Sequence, residues 1–200
     1  MVTLIGVTKT IPPATIREAV ALGLTEIGEN RVQEAGIKKL ALGSGLQARW
    51  HLIGHLQSNK AKAAVELFDV IHSVDSLKLI EELERHAATQ ERVMEVLVQV
   101  NVSGEATKSG CRPEDALPLA NAIHGAAHLT LSGLMTIPPL ANDPDAARVH
   151  FRRLRQLRDQ LRGSGALKLS MGMSNDFEVA IEEGANFVRI GTAIFGERAA

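Results

Sequence analysis

Lys9 is the residue best placed for covalent chemistry. It ends the apolar run Val2–Thr8, whose stem Leu4-Ile5-Gly6-Val7 would deliver one amine to the end of a buried strand. An amine held among apolar groups and cations loses its proton more readily than in water. It can then form a Schiff base with an aldehyde or ketone. A lysine at a strand exit is more often simply solvated, so Lys9 alone decides nothing. Two further segments change that balance. Ser170-Met171-Gly172-Met173-Ser174-Asn175-Asp176 and Arg189-Ile190-Gly191-Thr192 each put a glycine and a hydroxyl residue where a strand gives way to a helix. Small residues let backbone N–H groups approach a phosphate, and Ser174 or Thr192 adds a hydroxyl donor. Ordinary turns use the same residue types. Two such turns with one lysine nevertheless point to a phosphorylated carbonyl compound. Arg189, aimed at the same place if Val188 points into the strand wall, could pair with a carboxylate, hold an unprotonated ring nitrogen, or bridge to a neighbouring acid.

Other residues are less specific. Asn30 in Gly28-Glu29-Asn30-Arg31, Asn101, Met135 and Thr136 stand at strand ends, where each could line a pocket. His51 and His55 are four apart, a metal-pair spacing on a helix. Here they straddle a strand and Gly54, without a cysteine or carboxylate cluster, and read better as hydrogen-bonded structural histidines. The segment from Arg148 to Arg162 carries six arginines, but Phe151, Leu154, Leu157 and Leu161 recur at helical spacing. That pattern suits a solvated outer helix better than a nucleic-acid surface. Cys111, in a loop after Lys108-Ser109-Gly110, reads as incidental.

The elements that must position these residues alternate regularly. Strands are expected at Val2–Thr8, Thr25–Gly28, Arg49–Ile53, Val70–Ser73, Arg92–Val102, Leu129–Leu134, Leu167–Ser170 and Asn186–Ile190. Helices fall between them at Ala14–Leu22, Asn30–Leu42, Ser58–Leu67 with Ser58 as N-cap, Ser76–Ala88, Pro113–His124, Asp143–Leu161 and Asp176–Glu183. The helix after the eighth strand is weak or missing. Strict alternation predicts parallel strands with helices outside. Eight repeats predict an α/β fold, a closed (β/α)8 TIM barrel, with a doubly wound open sheet as the alternative. The 200 residues form one domain, 1–200, lean against the roughly 250 typical of that barrel. Chemistry in such a barrel sits at the C-terminal ends of the strands, where Lys9, Ser174 and Arg189 fall.

Composition narrows the classes. With 45% hydrophobic and 22% charged residues, the chain is neither disordered nor fibrous. A net charge of −1 offers no global field for a polyanion, so no nucleic-acid partner is expected. No apolar run reaches the length of a membrane span. One cysteine forbids an internal disulfide and suits a reducing, cytoplasmic setting. The absence of tyrosine removes one common acid/base residue from any mechanism.

Seven segments then appear in one order: Val7–Thr10, Gly28–Glu34, Trp50–Gln57, Lys108–Gly110, Gly133–Pro138, Ser170–Ser174 and Arg189–Thr192. Through them the chain resembles, over essentially its whole length, the pyridoxal phosphate homeostasis protein family, relatives of the alanine racemase N-terminal barrel. The resemblance implies pyridoxal 5′-phosphate (PLP) as cofactor, with Lys9 forming the internal aldimine and Ser174, Gly191 and Thr192 holding the phosphate. It implies that Arg189 faces the pyridine nitrogen and Asn30 lies beside the cofactor, with His51, Asn101 and Met135 as further candidates. Members usually carry an extra helix before the first strand, whereas this sequence starts almost at that strand. A barrel lacking that helix is therefore expected, with apolar surface exposed at its base and a monomeric or weakly dimeric state.

The resemblance also implies a PLP carrier or regulator in vitamin B6 and amino-acid homeostasis, without catalytic turnover, and with PLP-dependent apo-enzymes as candidate recipients. Racemisation needs a base on each face of the substrate carbon. Racemase-like enzymes take the second from a tyrosine on another domain, and this chain has neither, although His51 or Cys111 could stand in. A weak PLP-dependent racemase and a Schiff-base sugar-phosphate aldolase are the alternatives.

Overall fold

The strands are buried on both faces, and the reason lies in how they pair. In the computed structural model, which describes residues 1–161 and 167–197, eight strands join in chain order and the eighth returns to the first. They are β1 (Thr3–Val7), β2 (Glu26–Glu29), β3 (Arg49–Leu52), β4 (Val70–Val74), β5 (Met94–Gln99), β6 (Leu129–Met135), β7 (Lys168–Ser170) and β8 (Phe187–Ile190). Every pairing is parallel, and Thr3–Gly6 of β1 runs in register with Phe187–Ile190 of β8. The sheet is thus a closed barrel, as the alternation requires, and the open doubly wound sheet is excluded.

Helices α1 (Pro13–Ala21), α2 (Val32–Leu42), α3 (Ala61–Leu67), α4 (Leu77–Thr89), α5 (Ala116–His124), α6 (Arg148–Gln160), α7 (Phe177–Glu182) and α8 (Thr192–Phe195) alternate with the strands. Their starts differ from the sequence reading in instructive ways. Ser76 caps α4 by accepting from the Leu79 N–H at 3.4 Å. Ser58 caps nothing and instead opens a 3₁₀ turn, Ser58–Lys60, ahead of α3. Pro113 and Pro144 likewise open 3₁₀ turns before α5 and α6, because a proline starts a turn without needing its own N–H.

Alternation along each strand divides the core into two shells. Val188 and Ile190 of β8 join the large cluster between sheet and helices, together with Leu52, Phe68, Phe151 and Leu154. Phe187 points the other way, into a smaller cluster inside the barrel with Ile5, Val70, Leu97 and Met135. Arg189 shares the inward parity of Phe187 and is only 3% exposed.

Apolar side chains are exposed near the start of β1. Val2, Leu4, Leu22 and Ile194 are exposed and border a groove between β1, α1 and α8. The arginines of α6 are engaged with protein groups. Arg148, Arg152 and Arg155 converge on Glu183, and Arg153 donates to the Val102 carbonyl at 2.9 Å. They tie α6 to α7 and to the β5 exit, which is the outer-helix reading.

Close packing between β6 and β7 yields a contrast in glycine substitutions. A Cβ at Gly133 would lie 2.0 Å from the Lys168 carbonyl oxygen, whereas one at Gly36 on α2 would meet only Leu67 Cδ1 at 3.5 Å. Gly133→Ala should lower the unfolding free energy by about 1–3 kcal/mol or more. Gly36→Ala should raise it by about 0.5–1 kcal/mol. Urea denaturation midpoints of the two variants check both signs.

Candidate functional site

The C-terminal rim of the barrel holds a cavity of about 240 Å³. Lys9 after β1, Asn30 after β2, Ser174 after β7 and Arg189, Gly191 and Thr192 at the end of β8 all line it. One wall is the loop from Ile137 to Ala147, and Val7 and Ile53 supply apolar floor. Six of the residues singled out from the sequence are therefore brought together, whereas His51 and Asn101 do not line the cavity. Nor does Met135. It is fully buried in the interior cluster against which Ile137 of the cavity wall packs. Its strand parity turns it inward, one layer beneath the opening.

Each lining group is set by its element. The β7 exit turns at Gly172, whose φ of +91° favours glycine, and there a Cβ would strike Ala180 at 2.6 Å. The chain then reverses through Ser174, whose Oγ accepts the Gly191 N–H at 3.3 Å. Asp176 holds this turn by accepting the Met173 N–H at 2.6 Å. Burial pushes its carboxyl above the usual range, against the lowering pull of that N–H and of Arg189. Asn30 presents a buried side-chain oxygen with no hydrogen-bond partner among the described residues. A buried acceptor left open in a cavity wall marks a place for a donor from outside the chain.

Arg189 donates from Nη1 to Ser170 Oγ at 2.7 Å and from Nη2 to the Thr136 carbonyl at 2.8 Å. It forms no ion pair among the described residues, so the salt-bridge reading falls away. Burial lowers its pKa to about 10, with Asp176 opposing, and it stays charged at neutral pH.

Beneath Arg189 runs a chain that sequence reasoning missed. Ser170 Oγ lies 2.9 Å from His72 Nδ1, His72 Nε2 lies 2.8 Å from His51 Nδ1, and His51 Nε2 lies 2.6 Å from Glu26 Oε2. With one hydrogen on each ring, the direction runs back from the carboxylate, which only accepts: His51 donates to it from Nε2, His72 donates from Nε2 to His51 Nδ1, and the Ser170 hydroxyl donates to His72 Nδ1. Both His51 nitrogens are engaged, which leaves none for a metal, and His55 is exposed on the other side of Gly54 near Asp75. Asn101 is also engaged, organising its own loop by accepting from Ser103 and Gly104 and donating to the Glu105 and Lys108 carbonyls. Cys111 is buried, and burial with nearby Asp115 and Asp75 pushes its thiol up to about 12, consistent with an inert side chain.

A second cluster lies on the helix side of the sheet, under Lys9. The Lys38 ammonium donates to the Thr8 carbonyl at 2.5 Å, to Glu29 at 2.7 Å and to Glu34 at 2.6 Å. The Thr8 hydroxyl donates to Glu29 at 2.5 Å. Burial raises the Glu29 pKa despite Lys38 and Thr8. Burial also acts upward on Glu34, but bonds from Lys38 and the Thr10 N–H outweigh it and the net shift is down.

The comparisons with known proteins agree with this geometry. The profile of the alanine racemase N-terminal domain matches residues 3–199, which places the chain in that class of β/α barrel. Among curated relatives, the pyridoxal phosphate homeostasis protein of Pseudomonas aeruginosa is 48% identical over 195 residues, covering 98% of this chain and 84% of the relative. That of Aquifex aeolicus is 47% identical over 198 residues, covering 98% and 86%. The solved structure of Synechococcus elongatus PipY with PLP bound superposes with a TM-score of 0.89 at 40% identity, covering 98% of this chain and 92% of that one. The chain belongs to the pyridoxal phosphate homeostasis protein family.

The buried histidine chain sets a pH dependence. Burial first, then the charges of His51, Arg189, Arg49 and Lys168, holds His72 well below its usual 6.5. Below about pH 6.5 the unfolded chain therefore binds a proton that the folded chain refuses, and stability falls as pH falls. As pH falls from 6.5 to 5, the slope from this one group should grow from about 0.7 to about 1.4 kcal/mol per pH unit. His72→Gln, which can still accept from Ser170 and donate to His51, should remove that share. Urea titrations of both proteins across this range measure it.

Proposed function

We propose that the protein binds PLP in the rim cavity, with Lys9 as covalent attachment point, and serves vitamin B6 and amino-acid homeostasis without catalytic turnover. The observation that carries this reading is the convergence on one cavity of the Lys9 amine, the Arg189 guanidinium, the Ser174–Gly191–Thr192 turn and the unpartnered Asn30 oxygen. The bound cofactor supplies an electrophilic aldehyde and an aromatic ring that can accept electron density. The protein's residues do the rest. Ser174, Thr192 and Gly191 would hold the phosphate, and Asn30 would lie beside the cofactor. Arg189, which can only donate, would face the ring nitrogen and favour its unprotonated form.

Two features favour a carrier over a racemase. A second base facing Lys9 is needed for racemisation, and the chain contains no tyrosine. His51 and Cys111, the substitutes the sequence offers, do not line the cavity. An arginine at the ring nitrogen also stabilises a carbanion less well than a carboxylate there would. The names of the relatives and the PLP bound to PipY support the same reading against a sugar-phosphate aldolase. Release to PLP-dependent apo-enzymes and a cytoplasmic location complete the proposal. Among the described residues, no helix is long and apolar enough to cross a membrane.

The test is spectroscopic. The purified protein with PLP should show visible absorbance that borohydride abolishes, and the reduced pyridoxyl group should map to Lys9. Lys9→Ala should lose the adduct yet keep part of its affinity through the phosphate turn. Replacing Ser174 and Thr192 together by Ala should weaken PLP binding about tenfold or more per hydroxyl. A protein that stays colourless with PLP, or an adduct at another lysine, would overturn the assignment. Accelerated exchange of amino-acid α-protons would restore the racemase.

A further inference from the structure

Lys9 sits in a turn that its own sequence does not favour. The turn runs from Thr8 to Ile11 and is closed by the Ile11 N–H on the Thr8 carbonyl at 2.9 Å. Thr10, in third place, has a φ of +64°. Turns with that sign at the third residue ordinarily use glycine or asparagine, and a β-branched residue there is an outlier. Something outside the turn must hold it. Two groups do, one on each side of Lys9. On the preceding peptide, the Thr8 carbonyl takes a second hydrogen bond, from the buried Lys38 ammonium at 2.5 Å. On the following peptide, the Thr10 N–H donates to Glu34 Oε1 at 2.5 Å. The same Glu34 oxygen accepts from Lys38 at 2.6 Å, so both supports are one cluster. The third Lys38 hydrogen goes to Glu29, itself wholly buried and bonded to the Thr8 hydroxyl. All three ammonium hydrogens are used, which leaves α2 and the Lys9 turn in one relative placement.

We propose that Glu34 and Lys38, with Glu29 as counter-charge, are positioning residues for Lys9. They hold the two peptide groups that flank it, and so present its amine to the cavity in a reactive orientation. Orientation of a nucleophile acts on the rate of bond formation more than on the binding that precedes it. The inference rests on the reading that Lys9 is the covalent attachment point.

Three readouts separate positioning from simple structural support. The first is the initial rate at which PLP is trapped on Lys9 under borohydride. The second is the affinity for pyridoxine 5′-phosphate, which has the ring and phosphate but no aldehyde. The third is amide hydrogen exchange at Thr10 without ligand. Glu34→Ala, at a half-buried position, should slow trapping tenfold or more and speed Thr10 exchange by a similar factor. Pyridoxine 5′-phosphate affinity should stay within twofold. Glu34→Gln, whose amide oxygen still accepts the Thr10 N–H, should recover trapping to within about threefold of the wild type. The paired change Lys38→Met with Glu29→Gln, which removes both charges together, should slow trapping in the same way. Trapping at the wild-type rate in Glu34→Ala would overturn the proposal while leaving the attachment site intact. So would parallel losses of trapping and pyridoxine 5′-phosphate affinity, unrescued by Glu34→Gln. A wild-type protein that forms no adduct at Lys9 would overturn the functional reading, and this one with it.

Discussion

A guanidinium enclosed in a barrel, bridged to no carboxylate among the described residues, constrains everything beneath it. Arg189 stays charged, and a buried charge is tolerated only when it is hydrogen-bonded. The Thr136 carbonyl answers one amino group and Ser170 the other. Ser170 in turn joins Arg189 to a hydrogen-bonded line that runs through His72 and His51 and ends on the Glu26 carboxylate. The interior of this barrel is polar along that line. The arrangement needs a closed sheet, since β4 and β7 are not neighbours and meet only across the inside.

The other basic side chain of the site is held from the opposite face. Lys9 leaves β1 at a turn supported by α2, through groups on the outer side of the sheet. Arg189 and Lys9 thus answer to separate networks, one inside the barrel and one between sheet and helix. Strand alternation enforces the separation: Glu29 and Thr8 turn outward where Arg189 and Ser170 turn inward. Both networks are anchored on β2, Glu26 in the inner one and Glu29 in the outer one.

Much of this was legible in the sequence. Eight apolar runs separated by amphipathic stretches sufficed for the barrel, and the rule that barrel chemistry sits at C-terminal strand ends located Lys9, Ser174 and Arg189. Met135 was misplaced because position at a strand end says nothing of parity, and only a register settles which way it points. His72 went unread because it lies in the middle of a short strand, Val70–Val74, and its partner Ser170 is 98 residues away. Lys38 carried a usable signal. It occupies the buried stripe of α2 with Val32, Ala35 and Leu42, where a lysine needs a reason to be. What no pattern could supply was that its partners are the peptides on either side of Lys9.

The cavity's walls differ in how they are tied down. Strand ends and the β7 and β8 exits are bound into the sheet or to each other. Residues 137–142 make no backbone–backbone hydrogen bond among the described residues, and Pro138 and Pro139 have no N–H to offer. Moving that segment aside breaks no ladder. Opening this wall of the cavity therefore calls for no unfolding of the barrel.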